Sequence, residues 1–345
     1  MTSERHLGSH IFNIAVFALG GAAFIVLMHK LGLANARAVF ADAGPWLGVV
    51  IGLDLVAMCC DAAAIHAFMR PESRMVSYVR VLAAQASGRA INVLTPGGAL
   101  GEATKVTMLV GHAPRARIVS SIVLYNLATL YLSVAVLVIG VPITATLVDL
   151  PHEIAVIAWV GLAVIIGLVI ALVLVIRRGA LETALDAARR SRLLSAERAH
   201  RYAAKIADID HQLRDLHADT TPGLRAGSLW IAASRLCSWT ATTTVLHAIG
   251  VPITATLLVG VFSVGILIGW LSNIVPLGVG IADGGNYALF GVLGASATNG
   301  VAMTLLARAR SIVVALIGLV VMAIAHTATR ITLHRRRLRR AEGPR

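Results

Sequence analysis

Six stretches of roughly twenty or more apolar residues, at about 10–31, 45–69, 117–148, 153–176, 226–248 and 304–329, restrict this chain to very few folds. Each is long enough to cross the hydrocarbon of a bilayer as a helix. The runs are contiguous Ala, Val, Leu and Ile, not alternating ten-residue segments, which excludes an outer-membrane barrel. Composition agrees. Of 345 residues, 57% are hydrophobic and 14% charged, with a mean hydropathy of +0.81. A soluble domain carries about 25% charge. The expected fold is therefore an all-α polytopic membrane protein. The 10–31 segment follows a short polar lead without a convincing cleavage site and reads as a retained span.

Two interruptions stand out against this background. Thr95-Pro96-Gly97-Gly98-Ala99-Leu100-Gly101-Glu102 and Val275-Pro276-Leu277-Gly278-Val279-Gly280-Ile281-Ala282-Asp283 each place Pro, several Gly and a carboxylate at membrane depth. Pro lacks the N–H that a helical turn needs, and Gly weakens the helix further. Broken backbone survives in a bilayer only when buried in protein or lining a wet cavity. Segments 78–112 and 253–298 thus each read as a hairpin bent at its break, re-entrant or fully spanning, giving eight to ten helices in all. Paired breaks in two halves point to a transport site.

Basic residues orient the chain. Arg70, Arg74 and Arg80 precede the first hairpin, Arg115 and Arg117 follow it, and Arg177 and Arg178 follow the fourth span. The positive-inside rule puts both termini and the 177–225 linker in the cytoplasm. The division is then a membrane half over 1–176, the linker over 177–225, a second membrane half over 226–329 and a basic tail over 330–345. The linker, with ten basic and seven acidic residues and Leu and Ile at helical spacing, suits amphipathic helices on the inner leaflet, or a solvated connector. Net charge is +13, and the tail alone has seven Arg against one Glu. Beside a span this reads as cytoplasmic retention and contact with anionic lipid, not nucleic-acid binding. Span 45–69, hairpin and span 117–148 face span 226–248, hairpin and span 304–329 with opposite starting sides, a candidate inverted repeat. The nonapeptide IGVPITATL occurs at both 139–147 and 249–257, at two expected outer turns where Gly-Val-Pro ends one helix and starts the next.

Charged residues inside spans cost about 2.5–3.5 kcal/mol each and need a reason. The first hairpin supplies Arg89 and Asn92 before its break, and Glu102 and Lys105 after it. A helix resuming after Gly97-Gly98 offers free N–H groups to a phosphate. Arg89 and Lys105 add charge-assisted bonds, with Glu102 pairing to Arg89 when no anion is bound. The bland alternative is an ion pair that only holds the hairpin shut. The second hairpin supplies Asn273 and Asp283 around Pro276, Gly278 and Gly280, with Arg235 and Arg308 or Arg310 in the flanking spans. Arg308 and Arg310, two residues apart, fall on different helix faces, so one of them is expected to point inward. Asp54 and Asp61, seven apart on one face, read as partners of buried Arg or as proton carriers.

His66 and His247 lie near span ends. Trp46, Trp230, Trp239 and Trp270 suit the interfacial belt or packing. Cys59, Cys60 and Cys237 lack metal-type spacing. No nucleotide, zinc-protease, nucleophile-elbow or dinucleotide motif occurs, so no catalytic residue, cofactor or metal is assigned.

The pattern resembles the flippase-like membrane region of lysylphosphatidylglycerol synthases and its stand-alone relatives in hopanoid and lipid-linked glycan pathways. Its bearers are Asn92-x-x-x-Pro96-Gly97-Gly98-x-x-Gly101-Glu102-x-x-Lys105, then Arg235-x-x-x-Trp239, Pro276-x-Gly278-x-Gly280-x-x-Asp283 and Arg308. Many relatives carry Glu where Asp283 stands. The chain given ends at Arg345 without a soluble transferase half. The resemblance therefore implies lipid translocation or handling in a bacterial inner membrane, not tRNA-dependent lysyl transfer. The partners are a membrane lipid and, alternatively, a lipid-synthesis enzyme that this chain serves as an accessory. On this reading Arg89→Ala or Glu102→Ala abolishes translocation in reconstituted vesicles and leaves the protein folded.

Overall fold

The computed structural model describes residues 44–95, 99–148, 152–177, 222–272 and 281–341. The expected span at 10–31, linker residues 178–221 and the last residues of the tail lie outside these. Among the described residues there are nine α-helices and a single 3-10 turn, Glu72–Met75. The helices are α1 (Trp46–Phe68), α2 (Tyr78–Leu94), α3 (Ala99–Leu109), α4 (Arg115–Leu147) and α5 (His152–Arg177), then α6 (Pro222–Ala248), α7 (Ala255–Ser272), α8 (Ile281–Val292) and α9 (Ala297–Ala341). Four of them, led by α1 and α4, are long and apolar enough to cross a membrane. The all-α polytopic expectation holds.

Three boundaries differ from expectation. Helix α6 starts at Pro222, inside the expected linker, because Pro at the first helical position forfeits no hydrogen bond. Helix α9 starts at Ala297 and runs unbroken to Ala341. It thereby takes in most of the basic tail, which contains no Gly or Pro before Gly343. The third is the repeated nonapeptide, whose copies fold differently. The 139–147 copy is helical throughout the end of α4, with Pro142 inside the helix. There Gly140 abuts Ser263 of α7, and Thr144 Oγ1 donates to Gly140 O at 2.8 Å and lies 3.0 Å from Ser263 Oγ. The 249–257 copy turns. Gly250 takes φ +71°, Val251 N–H returns to Leu246 O at 3.1 Å, and buried Val251 packs in the same cluster as Leu246. That is a Schellman cap with its apolar contact. Packing against α7 decides for helix in one copy, and the glycine cap decides for a turn in the other.

Apart from Asp54 and Asp61, helix α1 is apolar around its circumference, with Val49 and Val56 exposed on the side that no other described helix covers. It lies along α6 and also touches α2, α4 and α9. Small residues set these approaches, as expected where lipid supplies no hydrophobic drive. A Cβ at Gly227 of α6 would strike the Phe68 ring, and one at Gly318 of α9 would strike the Ala86 carbonyl of α2. Helix α2 packs on α9 while α4 packs on α7. Helices α3 and α8 fold back on α2 and α7 and lean on α4 and α9 respectively. Both short helices end before a left-handed glycine, Gly111 at φ +97° and Gly294 at φ +76°. At 11 and 12 residues, α3 and α8 are about 16 and 18 Å long, half a bilayer core.

The close α2–α9 contact generates a test. Gly318→Leu should cost about 1–3 kcal/mol by overpacking against Ala86, read as a lower melting temperature in detergent. Gly48→Leu, with nothing near its Cβ, should stay within about 0.5 kcal/mol of the parent.

Candidate functional site

Apolar clusters flank a polar zone along the two central helices. On α1, Asp54 and Asp61 fall between the clusters that hold Val50 and Ile65. On α6, Arg235 falls between those that hold Ile231 and Val245. Arg235 is thirteen residues from either end of α6, about 20 Å, at the middle of that helix.

A cavity of about 770 Å³ opens in this zone between α2, α4, α6, α7, α8 and α9. That size suits a lipid headgroup or other small ligand. Helical stripes build its wall. On α4 these are Asn126, Thr129, Leu130 and Ser133, on α6 Arg235, Ser238, Trp239 and Thr242, and on α9 Thr304, Ala307, Arg308 and Ser311. Each stripe follows the i, i+3, i+4, i+7 spacing of one helix face. Asn92 enters from α2 and Asn286 from α8, where its amide donates to Thr304 Oγ1 at 2.8 Å. Trp239 stacks at a tilt on Phe262, 5.7 Å between centroids, forming the apolar side together with Trp270. The described lining contains three arginines, Arg235, Arg308 and Arg310, and no carboxylate.

Carboxylates stand directly behind that wall. Arg308 Nη2 donates to Asp283 Oδ2 at 2.6 Å. Arg310 Nε lies 3.7 Å from Asp54 Oδ2. Arg89 spans Asp54 and Asp61 at 4.0 Å each. Tyr125 of α4 turns its hydroxyl toward Asp61 and its ring under Lys105, whose Nζ is 5.6 Å from the centroid. Lys105 donates to Glu102 Oε1 at 2.8 Å, and Asn92 Nδ2 donates to the same oxygen at 3.3 Å. Asn92 Oδ1 accepts from Gly101 N–H at 2.8 Å. The result is a ring of partners that leaves the cavity at Arg310 and returns to it at Asn92. Gly88 and Gly101 make the ring possible. A Cβ on Gly101 would fall on the Asn92 amide, and one on Gly88 would lie 2.6 Å from Lys105 Cγ.

Several sequence expectations change here. Glu102 pairs with Lys105 and Asn92, and Arg89 with Asp54 and Asp61, so no Arg89–Glu102 pair forms. The reason is register: α2 directs Arg89 toward α1 and Asn92 toward α3. Neither Arg89 nor Lys105 lines the cavity; the arginines of α6 and α9 do. Both Arg308 and Arg310 face inward, contrary to the expectation of one. They sit about 160° apart, at the two edges of a broad inward arc, and long side chains reach in from both. Asp54 and Asp61 serve as ion partners. Asp283 reaches Arg308 despite being one methylene shorter than Glu. Trp239 and Trp270 belong to the cavity and not to an interfacial belt. Pro96, Gly97, Gly98, Asn273, Pro276, Gly278 and Gly280 lie outside the described residues. Asn126 and Asn286 were missed as site residues, although the polar stripes that carry them were readable in the sequence.

Asp54 faces two arginines while almost fully buried. Asp54→Ala should therefore cost about 3–5 kcal/mol by leaving like charges unpaired. Adding Arg310→Met should recover a good part of that in a double-mutant melting cycle. Arg89→Ala should also lower the melting temperature, which makes it a poor probe of function.

The sequence model of the family described as lysylphosphatidylglycerol synthase TM region matches residues 11–318. No curated protein and no solved structure matches the chain.

Proposed function

The chain belongs to the lysylphosphatidylglycerol synthase TM-region family, and from that premise we propose that it moves an anionic phospholipid or lipid-linked intermediate between leaflets. The observation that carries this reading is the cavity walled by Arg235, Arg308 and Arg310. Arginine is the side chain best suited to phosphate, and no group of this polarity stays in hydrocarbon without a task. The headgroup occupies the cavity and the acyl chains remain in the lipid. Asp54 and Asp283 hold Arg310 and Arg308 when the headgroup leaves. No catalytic step is assigned.

The packing supports an inverted repeat as the machinery. Exchanging α1 with α6, α2 with α7, α3 with α8 and α4 with α9 turns the α2–α9 contact into the α7–α4 contact and the α3–α4 contact into the α8–α9 contact. Glycines Gly140 and Gly318 take matching places in the exchanged pairs, and Gly111 and Gly294 end the exchanged short helices. The half-membrane lengths of α3 and α8 favour re-entrant hairpins over complete spans. Two such halves rocking about the α1–α6 pair would expose the cavity to each leaflet in turn. Arg70, Arg74, Arg115 and Arg117 at one end of the bundle favour a bacterial inner membrane with cytoplasmic termini.

Leaflet exchange of a fluorescent phosphatidylglycerol by the purified protein in vesicles tests the reading. Arg235→Ala should reduce the rate at least about tenfold, a 1.4 kcal/mol effect. Its melting temperature should not fall, since Arg235 has no ion pair among the described residues to lose. A parent protein that binds lipid without exchanging it would instead be an accessory that presents lipid to a separate synthase.

A further inference from the structure

Among the described residues, the ionisable groups around the cavity do not balance in number. Cations are Arg89, Lys105, Arg235, Arg308 and Arg310. Anions are Asp54, Asp61, Glu102 and Asp283. Each carboxylate has a cation within 4.0 Å. Arg235 alone of these nine has no ion-pair partner among the described residues, and it lines the cavity. From the middle of a 27-residue helix its guanidinium cannot snorkel to either surface. Among the described residues the site therefore holds one surplus cationic side chain, in a place where an uncompensated charge is disfavoured.

We infer that the cavity selects a headgroup with one net negative charge, a phosphodiester without an amine, over zwitterionic and multiply charged headgroups. This rests on the reading of the cavity as a lipid site. A single phosphodiester cancels the surplus on Arg235. A phosphocholine or phosphoethanolamine headgroup adds its own cation beside three arginines and leaves the surplus in place. A diphosphate overshoots and must pull Arg308 or Arg310 from Asp283 or Asp54 to be matched. The hydroxyl and amide groups of Ser238, Thr242, Asn126 and Asn286 leave room for an uncharged polar substituent on the diester. Trp239 and Phe262 offer an apolar wall to the glycerol end.

The test is binding, kept separate from translocation. Trp239 and Trp270 line the cavity, so tryptophan emission of the purified protein in nonionic detergent reports on its contents. The probes are dihexanoyl phosphatidylglycerol, dihexanoyl phosphatidylcholine, dihexanoylglycerol diphosphate and free glycerophosphoglycerol. The phosphatidylglycerol should bind at least about tenfold more tightly than each of the others. Arg235→Gln, which removes the surplus, should abolish its advantage over phosphatidylcholine. Asp283→Asn, which raises the surplus to two, should shift preference toward the diphosphate, and it decides the matter alone if Arg235→Gln does not fold. Equal affinities in the parent protein, or an Arg235→Gln variant that weakens all lipids alike, would overturn the inference while leaving lipid transport standing. Equally tight binding of glycerophosphoglycerol would make the ligand a soluble diester. Selective binding without leaflet exchange would uphold the inference and remove the transport reading. Binding of none of the four would remove both.

Discussion

A charge in hydrocarbon must be matched, and the middle of this bundle is organised around that requirement. Among the described residues, nine ionisable side chains gather around the cavity, on α1, α2, α3, α6, α8 and α9. None would be tolerated there singly, at about 2.5–3.5 kcal/mol each on insertion scales. Eight of them solve this mutually as ion pairs, and Arg235 is left facing the cavity. Every later feature follows from it. The helices must carry small residues so that α2 and α3 come close enough for Lys105, Glu102 and Asn92 to meet. Helix α1 must sit at the centre, because Asp54 serves α2 and α9 at once. The cavity exists because the arginines that face it cannot be packed over with apolar side chains without stranding their charge.

Apolar packing and polar packing divide the work. Clusters around Ile65, Phe68 and Ile118 and around Leu137, Leu246 and Phe290 fix the relative positions of the helices. The polar ring between them contributes less net stability, since paired charges in low dielectric roughly recover their own desolvation. What the ring contributes is placement. It holds the Arg310 guanidinium at the cavity through Asp54, as Asp283 holds that of Arg308, a placement that hydrophobic contacts alone would not specify.

Much of this was legible in the sequence, and the limits are physical. Helix number and rough position follow from apolar length, since in lipid no other structure satisfies the backbone. Asn92, Arg235 and Arg308 were readable as site residues because polar groups inside spans demand partners. Which partner each takes was not readable. Arg89 precedes Glu102 on the same hairpin, and only the packing of α2 on α1 sends it to Asp54 and Asp61 instead. The nonapeptide states the same limit most sharply. One sequence is helix at 139–147 and turn at 249–257, so its local preference is weak and its neighbours decide.

The ion pairs fall into two classes by length, and the division bears on how such a bundle could move. Lys105–Glu102, within α3, and Arg308–Asp283, between α8 and α9, are 2.8 and 2.6 Å, close hydrogen-bonded contacts inside one half of the chain. Arg310–Asp54 joins α9 of one half to α1 of the other at 3.7 Å, and Arg89 faces its two carboxylates at 4.0 Å. At those separations directional bonding is lost and attraction between charges remains. Stretching such a pair from 4 to 5 Å at an effective dielectric of 20 costs only about 1 kcal/mol, whereas breaking a 2.6 Å charged hydrogen bond forfeits its geometry entirely. The Arg310–Asp54 link between α9 and α1 is therefore a compliant polar contact, as are the Arg89 pairs within the first half, while the packing of α1 on α6, α2 on α9 and α4 on α7 carries the join between the halves.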